Sequence, residues 1–376
     1  MRTVYLNNAA TSWPKPPGVA EAMAQAVADM PFHTGRAPAR GTDPLRLCRR
    51  EVARLLDVED PERIVLTTNA TMALNMAIHG IGLRSGDHVI TTVTEHNSVL
   101  RPLEHLRLAE GLVVTVVGLD ESGAVDEEQF GRALGRGARA VVVNHASNVT
   151  GRVNDPLRLF SPARRTGAVT ILDASQTLGH VPVKPSELGA DMVAFTGHKG
   201  LLGPAGTGGL YVAPGLDLEP SIVGGTGVRS DLATQPPDMP TRLEAGTPAI
   251  PAFAGLAAAL EWRRENAAGF EARTQRAHRL LRSELRRARV RIIDDDAEAP
   301  RVGVISILLD GWEVEEAGYI LGESFGVICR SGLHCAPLVH HSLGTAPHGT
   351  IRLSVSGFTT EEDVARAGAA VRELAA

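Results

Sequence analysis

The sequence predicts an α/β protein, a mostly parallel sheet with helices on both faces joined to a smaller α+β unit. From about residue 64 short β-branched apolar runs alternate with amphipathic stretches, and beyond about residue 251 that rhythm gives way to a long Ala/Arg/Glu/Leu-rich segment. A chain of 376 residues also exceeds one ordinary core, so one large and one small domain is the natural division.

Seven runs read as strands: 64–68 (IVLTT), 88–94 (HVITTVT), 113–119 (VVTVVGL), 140–146 (AVVVNHA), 169–173 (VTILD), 192–196 (MVAFT) and 209–212 (GLYV). Most are nearly continuous apolar runs, as strands covered on both faces should be. Helical segments at 72–79, 98–110 and 127–134 lie between them, and a βαβ rhythm of this kind implies a parallel sheet. Beyond Gly246–Pro251, residues 253–289 read as two helices. A strand at 302–309, a helix near 313–325 and a strand at 350–355 follow. The expected division is a large domain of residues 14–255 and a small one of residues 1–13 and 256–376.

Composition narrows the function. Hydrophobic residues make up 43% and charged residues 22%, as in a globular protein. A net charge of −5 gives no reason to expect nucleic acid or an anionic membrane as partner. The start, MRTVYLNNAATSW, lacks the apolar region of a secretory leader, and no apolar run approaches the roughly 18 residues needed to span a bilayer. Cys48, Cys329 and Cys335 are too few for a disulfide framework, so a cytoplasmic location is expected.

Polar residues gather at the C-terminal ends of five strands: Thr68–Thr71, Glu95–His96, Ser147–Asn148, Asp173–Gln176 and Thr196–Lys199. Open α/β sheets bind ligands at that edge, so these clusters should converge on one crevice. Lys199 is one of only three lysines in an arginine-rich chain. Guanidinium stays protonated, whereas an amine can lose its proton and condense with a carbonyl. Pyridoxal phosphate is the common aldehyde-bearing cofactor. Asp173 could pair with its pyridine nitrogen, or could equally be a helix N-cap. The Thr68-Asn69-Ala70-Thr71 turn offers backbone N–H groups and a hydroxyl to a phosphate at a helix N-terminus, with Thr196 and His198 as further donors. His96 could stack on the ring, and Asn148 and Gln176 could bond its phenolic oxygen or the substrate. Each alone could be structural. An acid followed 26 residues later by a lysine, each after its own strand, is the stronger pattern.

These residues carry a family resemblance. YLNNAAT (5–11), TTNATMALN (67–75), TEHNS (94–98), ASNVTG (146–151), DASQ (173–176), TGHKG (196–200), EAGTP (244–248) and RSGLHCAP (330–337) occur in order across nearly the whole chain. The chain thereby resembles fold-type I, class V aminotransferase-like enzymes, and in particular the cysteine desulfurase/selenocysteine lyase family. The resemblance implies Lys199 as the lysine that binds pyridoxal 5'-phosphate, Asp173 as the pyridinium partner, His96 as the stacking acid/base and Gln176 as the ring-oxygen donor. It places the phosphate on Ala70, Thr71, Thr196 and His198. Thr247 would reach the phosphate of a second subunit, which implies a homodimer.

RSGLHCAP decides the chemistry expected on that cofactor. Cys335 matches the persulfide-forming cysteine of the short-loop group (Arg-x-Gly-x-His-Cys-Ala). Set between glycine and proline beside His334, it is expected to be mobile and accessible, with an imidazolium raising its thiolate fraction. Cys48 and Cys329 read as buried structural cysteines. Arg352 matches the arginine that grips a substrate α-carboxylate, with Arg330 and Asn148 beside it. The implied activity is conversion of L-cysteine to L-alanine with sulfur passing to Cys335 and on to an acceptor protein. The alternative is a lyase acting on selenocysteine or an S-substituted cysteine, and an aminotransferase ranks below both. Cys335, His340, His341 and His348 do not match a zinc-ligand spacing, so no metal is expected. Asp294–Asp296 reads as a solvated turn, and His33, Arg36 and Arg40 as either the mouth of the site or a solvated loop. Asn-Ala-Thr-Met stands where Gly-Thr-Thr-Glu is common in the family, and Thr196 stands where serine is usual.

Overall fold

The computed structural model describes residues 2–29 and 43–376, so His33, Arg36 and Arg40 lie outside the described residues. A short strand β1 (Val4–Tyr5) precedes helices α1 (Val19–Ala28) and α2 (Pro44–Leu56). Strands and helices then alternate: β2 (Ile64–Thr67), α3 (Ala70–Gly80), β3 (His88–Thr92), α4 (Asn97–Glu110), β4 (Val113–Val117), α5 (Glu127–Leu134), β5 (Ala140–Asn144), α6 (Pro156–Arg165), β6 (Val169–Asp173), α7 (Pro185–Leu188), β7 (Met192–Thr196) and β8 (Gly208–Val212). The second half holds α8 (Ile250–Arg286), β9 (Val290–Ile292), β10 (Val304–Leu309), α9 (Val314–Glu323), β11 (Val327–Ile328), β12 (Arg330–Gly332), α10 (Pro337–Ser342), β13 (Thr350–Ser354) and α11 (Glu361–Leu374).

Strands β2 to β8 form one seven-stranded sheet in the order β2-β8-β7-β6-β5-β3-β4. Only β8 runs against its neighbours. Alternation along each strand fills two cores. Val141 and Val143 of β5 face one with α2, α5 and α6, while Ala140 and Val142 face the other with α3 and α4. This two-sided burial is why the strands read as continuous apolar runs. Several are one or two residues shorter than the sequence suggests at their C-terminal ends. There the chain leaves the ladder to carry polar residues toward the sheet edge.

A second, antiparallel sheet has the order β12-β13-β10-β9, and β1 pairs in parallel with β11. Their core takes Val4 and Leu6 from the chain start with Ala277, Leu281 and Leu285 of α8. The segment expected to form two helices is one 37-residue helix, α8. No proline falls between Pro251 and Pro300, and one interior glycine such as Gly269 costs only about 1 kcal/mol, too little to break it. Phe253, Leu256 and Leu260 of this helix belong to the large core, so the boundary expected at residue 255 falls inside a helix. Residues 14–255 and 1–13 with 256–376 remain our proposed division.

The expectation of a solvated turn at Asp294–Asp296 is corrected. The Asp294 side chain is 6% exposed and accepts from Arg152 Nη2 at 2.7 Å and from Arg301 Nη1 at 3.0 Å. Asp294 bridges the two arginines, and Asp296 Oδ2 adds a second acid at 3.2 Å from Arg152 Nη2. Asp295 and Asp296 are exposed.

Candidate active site

The five strand ends meet in a cavity of about 230 Å³. Ala70 and Thr71 reach it from the β2–α3 turn, His96 after β3, Asn148 after β5, Asp173 and Gln176 at the end of β6, and Thr196, His198 and Lys199 at the end of β7. Arg330 and Arg352 enter from the small sheet.

Lys199 sits in a tightly folded turn. Gly197 N–H donates to Thr207 O at 2.8 Å, and Gly203 N–H donates to Gly197 O at 2.8 Å. A Cβ on Gly197 would overlap the Thr207 hydroxyl, and one on Gly200 the carbonyl of Leu178, so both positions require glycine. The Lys199 amine is half-buried and has no hydrogen-bond partner among the described residues. Burial lowers its pKa to about 8; Asp173 opposes that shift, while Arg352 and Arg330 add to it.

Asp173 does not cap a helix, because the next one begins at Pro185. Its Oδ1 instead accepts the Ser175 N–H at 2.9 Å and the Ser175 hydroxyl, which fixes the carboxylate and leaves the other oxygen unengaged. His96 is the N-cap of α4, its Nδ1 accepting the Ser98 N–H at 3.0 Å. An Nδ1 that accepts a backbone N–H places the ring proton on Nε2. Burial foremost, with Lys199, Arg330 and Arg352 adding and Asp173 opposing, lowers the His96 pKa to about 4, so the ring is neutral.

At the β2–α3 turn Asn69 caps α3, accepting the Met72 N–H at 2.9 Å. The amides of Ala70 and Thr71 have no partner among the described residues and point outward at a helix N-terminus. His198 Nδ1 is buried without a partner, and burial holds this ring neutral, with a pKa of about 4. Thr196 is less free than expected: its hydroxyl lies 3.4 Å from Thr207 O, to which it donates. Gln176 Nε2 donates to Ala9 O at 3.2 Å, tying the chain start to the site.

Arg352 is 1% exposed and directly opposite Arg330 in the β12–β13 ladder. It donates to Asn148 O at 3.0 Å and Asn7 Oδ1 at 3.4 Å, and its Nε has no partner. No carboxylate pairs with either arginine among the described residues. Burial and the neighbouring Arg330 hold the Arg352 pKa down, at about 9. A buried guanidinium in this state can accept an anion.

Cys335 lies just outside the cavity wall, its Sγ 3.4 Å from Arg330 Nη2. Two expectations about it are corrected. His334 is not an imidazolium beside the thiol: it is 2% exposed, its Nε2 lies 3.0 Å from both Thr350 O and Thr350 Oγ1, and burial keeps it uncharged. Nor is the loop backbone loose. Asn97 N–H donates to Cys335 O at 2.7 Å and Asn148 Nδ2 to His334 O at 2.7 Å, holding two consecutive left-handed residues, His334 (φ 51°) and Cys335 (φ 59°). Cys48 is buried, as expected, while Cys329 is only partly buried. His340 is buried and lies 2.7 Å from Thr345 Oγ1, whereas His348 is exposed, 3.8 Å from Glu313. Thr247 is exposed and outside its own chain's cavity.

Sequence reading gave no role to Ser175, which fixes Asp173, to Asn7, which meets Arg352, or to Glu95. Each is one to two positions from a singled-out residue or inside a quoted motif, so adjacency was the only available signal.

The aminotransferase class-V family matches residues 4–367. A probable cysteine desulfurase of Methanothermobacter thermautotrophicus is 34% identical, over 99% of this chain and 94% of the relative. The cysteine desulfurase of Pectobacterium carotovorum subsp. carotovorum is 31% identical, over 98% and 92%. The apo cysteine desulfurase of Thermococcus onnurineus superposes with a TM-score of 0.87 at 30% identity, covering 99% of this chain and 94% of that one. An Escherichia coli cysteine desulfurase in its S-sulfonic acid form gives 0.87 at 29% identity, with the same coverage.

Proposed function

We propose, from the premise that the chain belongs to the aminotransferase class-V family, that it is a pyridoxal 5'-phosphate-dependent cysteine desulfurase. It converts L-cysteine to L-alanine and takes the sulfur onto Cys335 as a persulfide. The observation that carries this reading is Arg330, which lines the cavity with Lys199 and touches the Cys335 sulfur.

The residues present fit pyridoxal phosphate. Ala70 and Thr71 amides and the unpartnered His198 Nδ1 would face its phosphate, the unengaged Asp173 oxygen its pyridine nitrogen, and the second Gln176 amide proton its ring oxygen. Bound there, the cofactor supplies an electron sink for charge left on the substrate α-carbon. Arg352 holds the substrate carboxylate. The Lys199 amine, its pKa lowered to about 8, takes the α-proton at Nζ. The neutral His96 ring, which lines the same cavity, would lie against the cofactor with its Nε2–H available. The Cys335 thiolate, held by Arg330, attacks the substrate sulfur: an S–S bond forms as the C–S bond breaks, its electron pair leaving with carbon. Cys335 also borders two outer cavities, one beside Glu313–Glu316 and one beside His79, Arg101 and His105, which gives a sulfur acceptor a route to the persulfide. A homodimer belongs to this reading, since the exposed Thr247 is free to complete a second subunit's site.

The test is the visible spectrum of the protein loaded with cofactor, with alanine and sulfide assayed after L-cysteine and a thiol reductant. Equal alanine and sulfide are expected. Cys335→Ala is expected to keep the visible band and lose alanine formation from cysteine. Wild-type alanine rates in that variant would overturn the persulfide step. A band without alanine in the unmodified protein would turn the reading to selenocysteine or S-substituted cysteines.

A further inference from the structure

Glu95 is fully buried beneath the cavity, and the chemistry above makes no use of it. Its Oε1 accepts the Asn144 N–H at 3.0 Å, and its Oε2 has no partner. A row of short oxygen contacts runs from it. Glu95 Oε1 lies 2.6 Å from Thr92 Oγ1, Thr92 Oγ1 lies 2.7 Å from Thr94 Oγ1, and Thr94 Oγ1 lies 2.7 Å from Asn144 Oδ1. The far end of the row is an acceptor only. Asn144 Nδ2 donates to Thr94 O at 2.7 Å, and Asn154 Nδ2 donates to Asn144 Oδ1 at 3.0 Å, which fixes the amide's orientation.

Three contacts therefore need three protons, and the two threonine hydroxyls carry only two. We propose that Glu95 supplies the third: it is an uncharged carboxylic acid that donates to Thr92 and so heads a relay through Thr92 and Thr94 to Asn144. The relay ties the turn before His96 to the end of β5, where Asn144 is paired with Asp173 in the sheet. Glu95 is thus a positioning residue that sets the turn bearing His96 against the strand end bearing Asp173. The charged group facing it is Asp173, of the same sign, and no arginine or lysine bonds it among the described residues. Burial accordingly raises its pKa to about 8, Asp173 adding to the shift against the Thr92 and Asn144 contacts.

The assignment rests on the cofactor reading, and three variants of the full chain test it. Glu95→Gln is uncharged but cannot both accept the Asn144 N–H and donate to Thr92 from one atom, Glu95→Met keeps volume without a donor, and Thr92→Val breaks the relay one step along. The measurements are the cofactor dissociation constant, the pH midpoint of the bound cofactor's visible band, and the infrared C=O stretch of a protonated carboxyl in the cofactor-free protein. Glu95→Gln is expected to lose that C=O band and to fall between wild type and Glu95→Met in affinity and midpoint. Glu95→Met and Thr92→Val are expected to weaken cofactor binding roughly tenfold and move the midpoint, the cost of a buried polar group losing its partner. No protonated-carboxyl band in wild type, or a band that persists unchanged in Glu95→Gln, overturns the uncharged state. Unchanged affinity and midpoint in both Glu95→Met and Thr92→Val overturn the positioning role. A wild-type chain with no visible band at all overturns the cofactor reading and this assignment together.

Discussion

Lys199 shows how one residue's surroundings set both chemistry and stability. Its amine is protonated less readily in the folded chain than in the unfolded one, with a pKa of about 8 against 10.5. The unfolded chain therefore binds more protons between those values, so stability rises with pH across that window and the full penalty is present below it. In the cofactor-free protein Lys199→Met is expected to be more stable than wild type at neutral pH, by about 1–2 kcal/mol after discounting for partial exposure. That gain should fade between pH 8 and 10.5, as thermal melts across pH would show. Arg352 makes the complementary case. Its guanidinium has no acid to neutralise it among the described residues, so Arg352→Gln is expected to raise KM for cysteine roughly 10- to 100-fold while the cofactor's visible band persists. A KM unchanged from wild type would remove the carboxylate from this position.

Among the elements, the β2–α3 turn depends on the strand beside it. Gly208 of β8 lies against the turn: a Cβ there would come within 2.8 Å of Asn69 Cα and of Phe195 O, both backbone atoms that cannot swing aside. Gly208→Ala is expected to displace the amides of Ala70 and Thr71 and weaken cofactor affinity at least tenfold, with far-ultraviolet circular dichroism unchanged; overpacking of this kind costs about 1–3 kcal/mol. Gly208 also marks where sequence reading stops. Strand positions were legible because burial on both faces leaves unbroken apolar runs, and the crevice was legible because polar residues collect at the ends of those runs. Lys199 and Asp173 stood out by chemistry. The state of the Cys335 loop did not, since it depends on hydrogen bonds from Asn97 and Asn148, distant in sequence. His334 looked like a charged neighbour of the thiol because adjacency in sequence says nothing of a side chain turned toward Thr350. Helix α2 carries its own start signal in Asp43 at the N-cap and Pro44 in the first turn, and α11 in the Thr360–Asp363 capping box; both lie outside the strand–helix alternation.

Across the whole molecule the core of the large sheet and that of the small sheet are joined by more than chain continuity. Asp294 bonds Arg152, which follows Asn148 in the same loop, and Arg301 at the edge of the small sheet. Removing the acid leaves the buried Arg301 guanidinium without its paired carboxylate and Arg152 with only the more exposed Asp296. Asp294→Ala is expected to cost about 3–5 kcal/mol, read from urea denaturation, and to loosen the loop that bears Asn148. Helix α8 makes the same join in a different way. At about 1.5 Å per residue its 37 residues extend some 55 Å, the first turns embedded in one core and the later ones in the other. Such a rod transmits strain instead of absorbing it, so neither half of the protein has an independent melting point. Calorimetry should record one transition where two domains would suggest two, and halves expressed separately with a cut inside α8 should be insoluble alone. For a site assembled from both halves, this means that the crevice exists only when the entire chain has folded, and a partly folded molecule offers no reactive amine beside a reactive thiol.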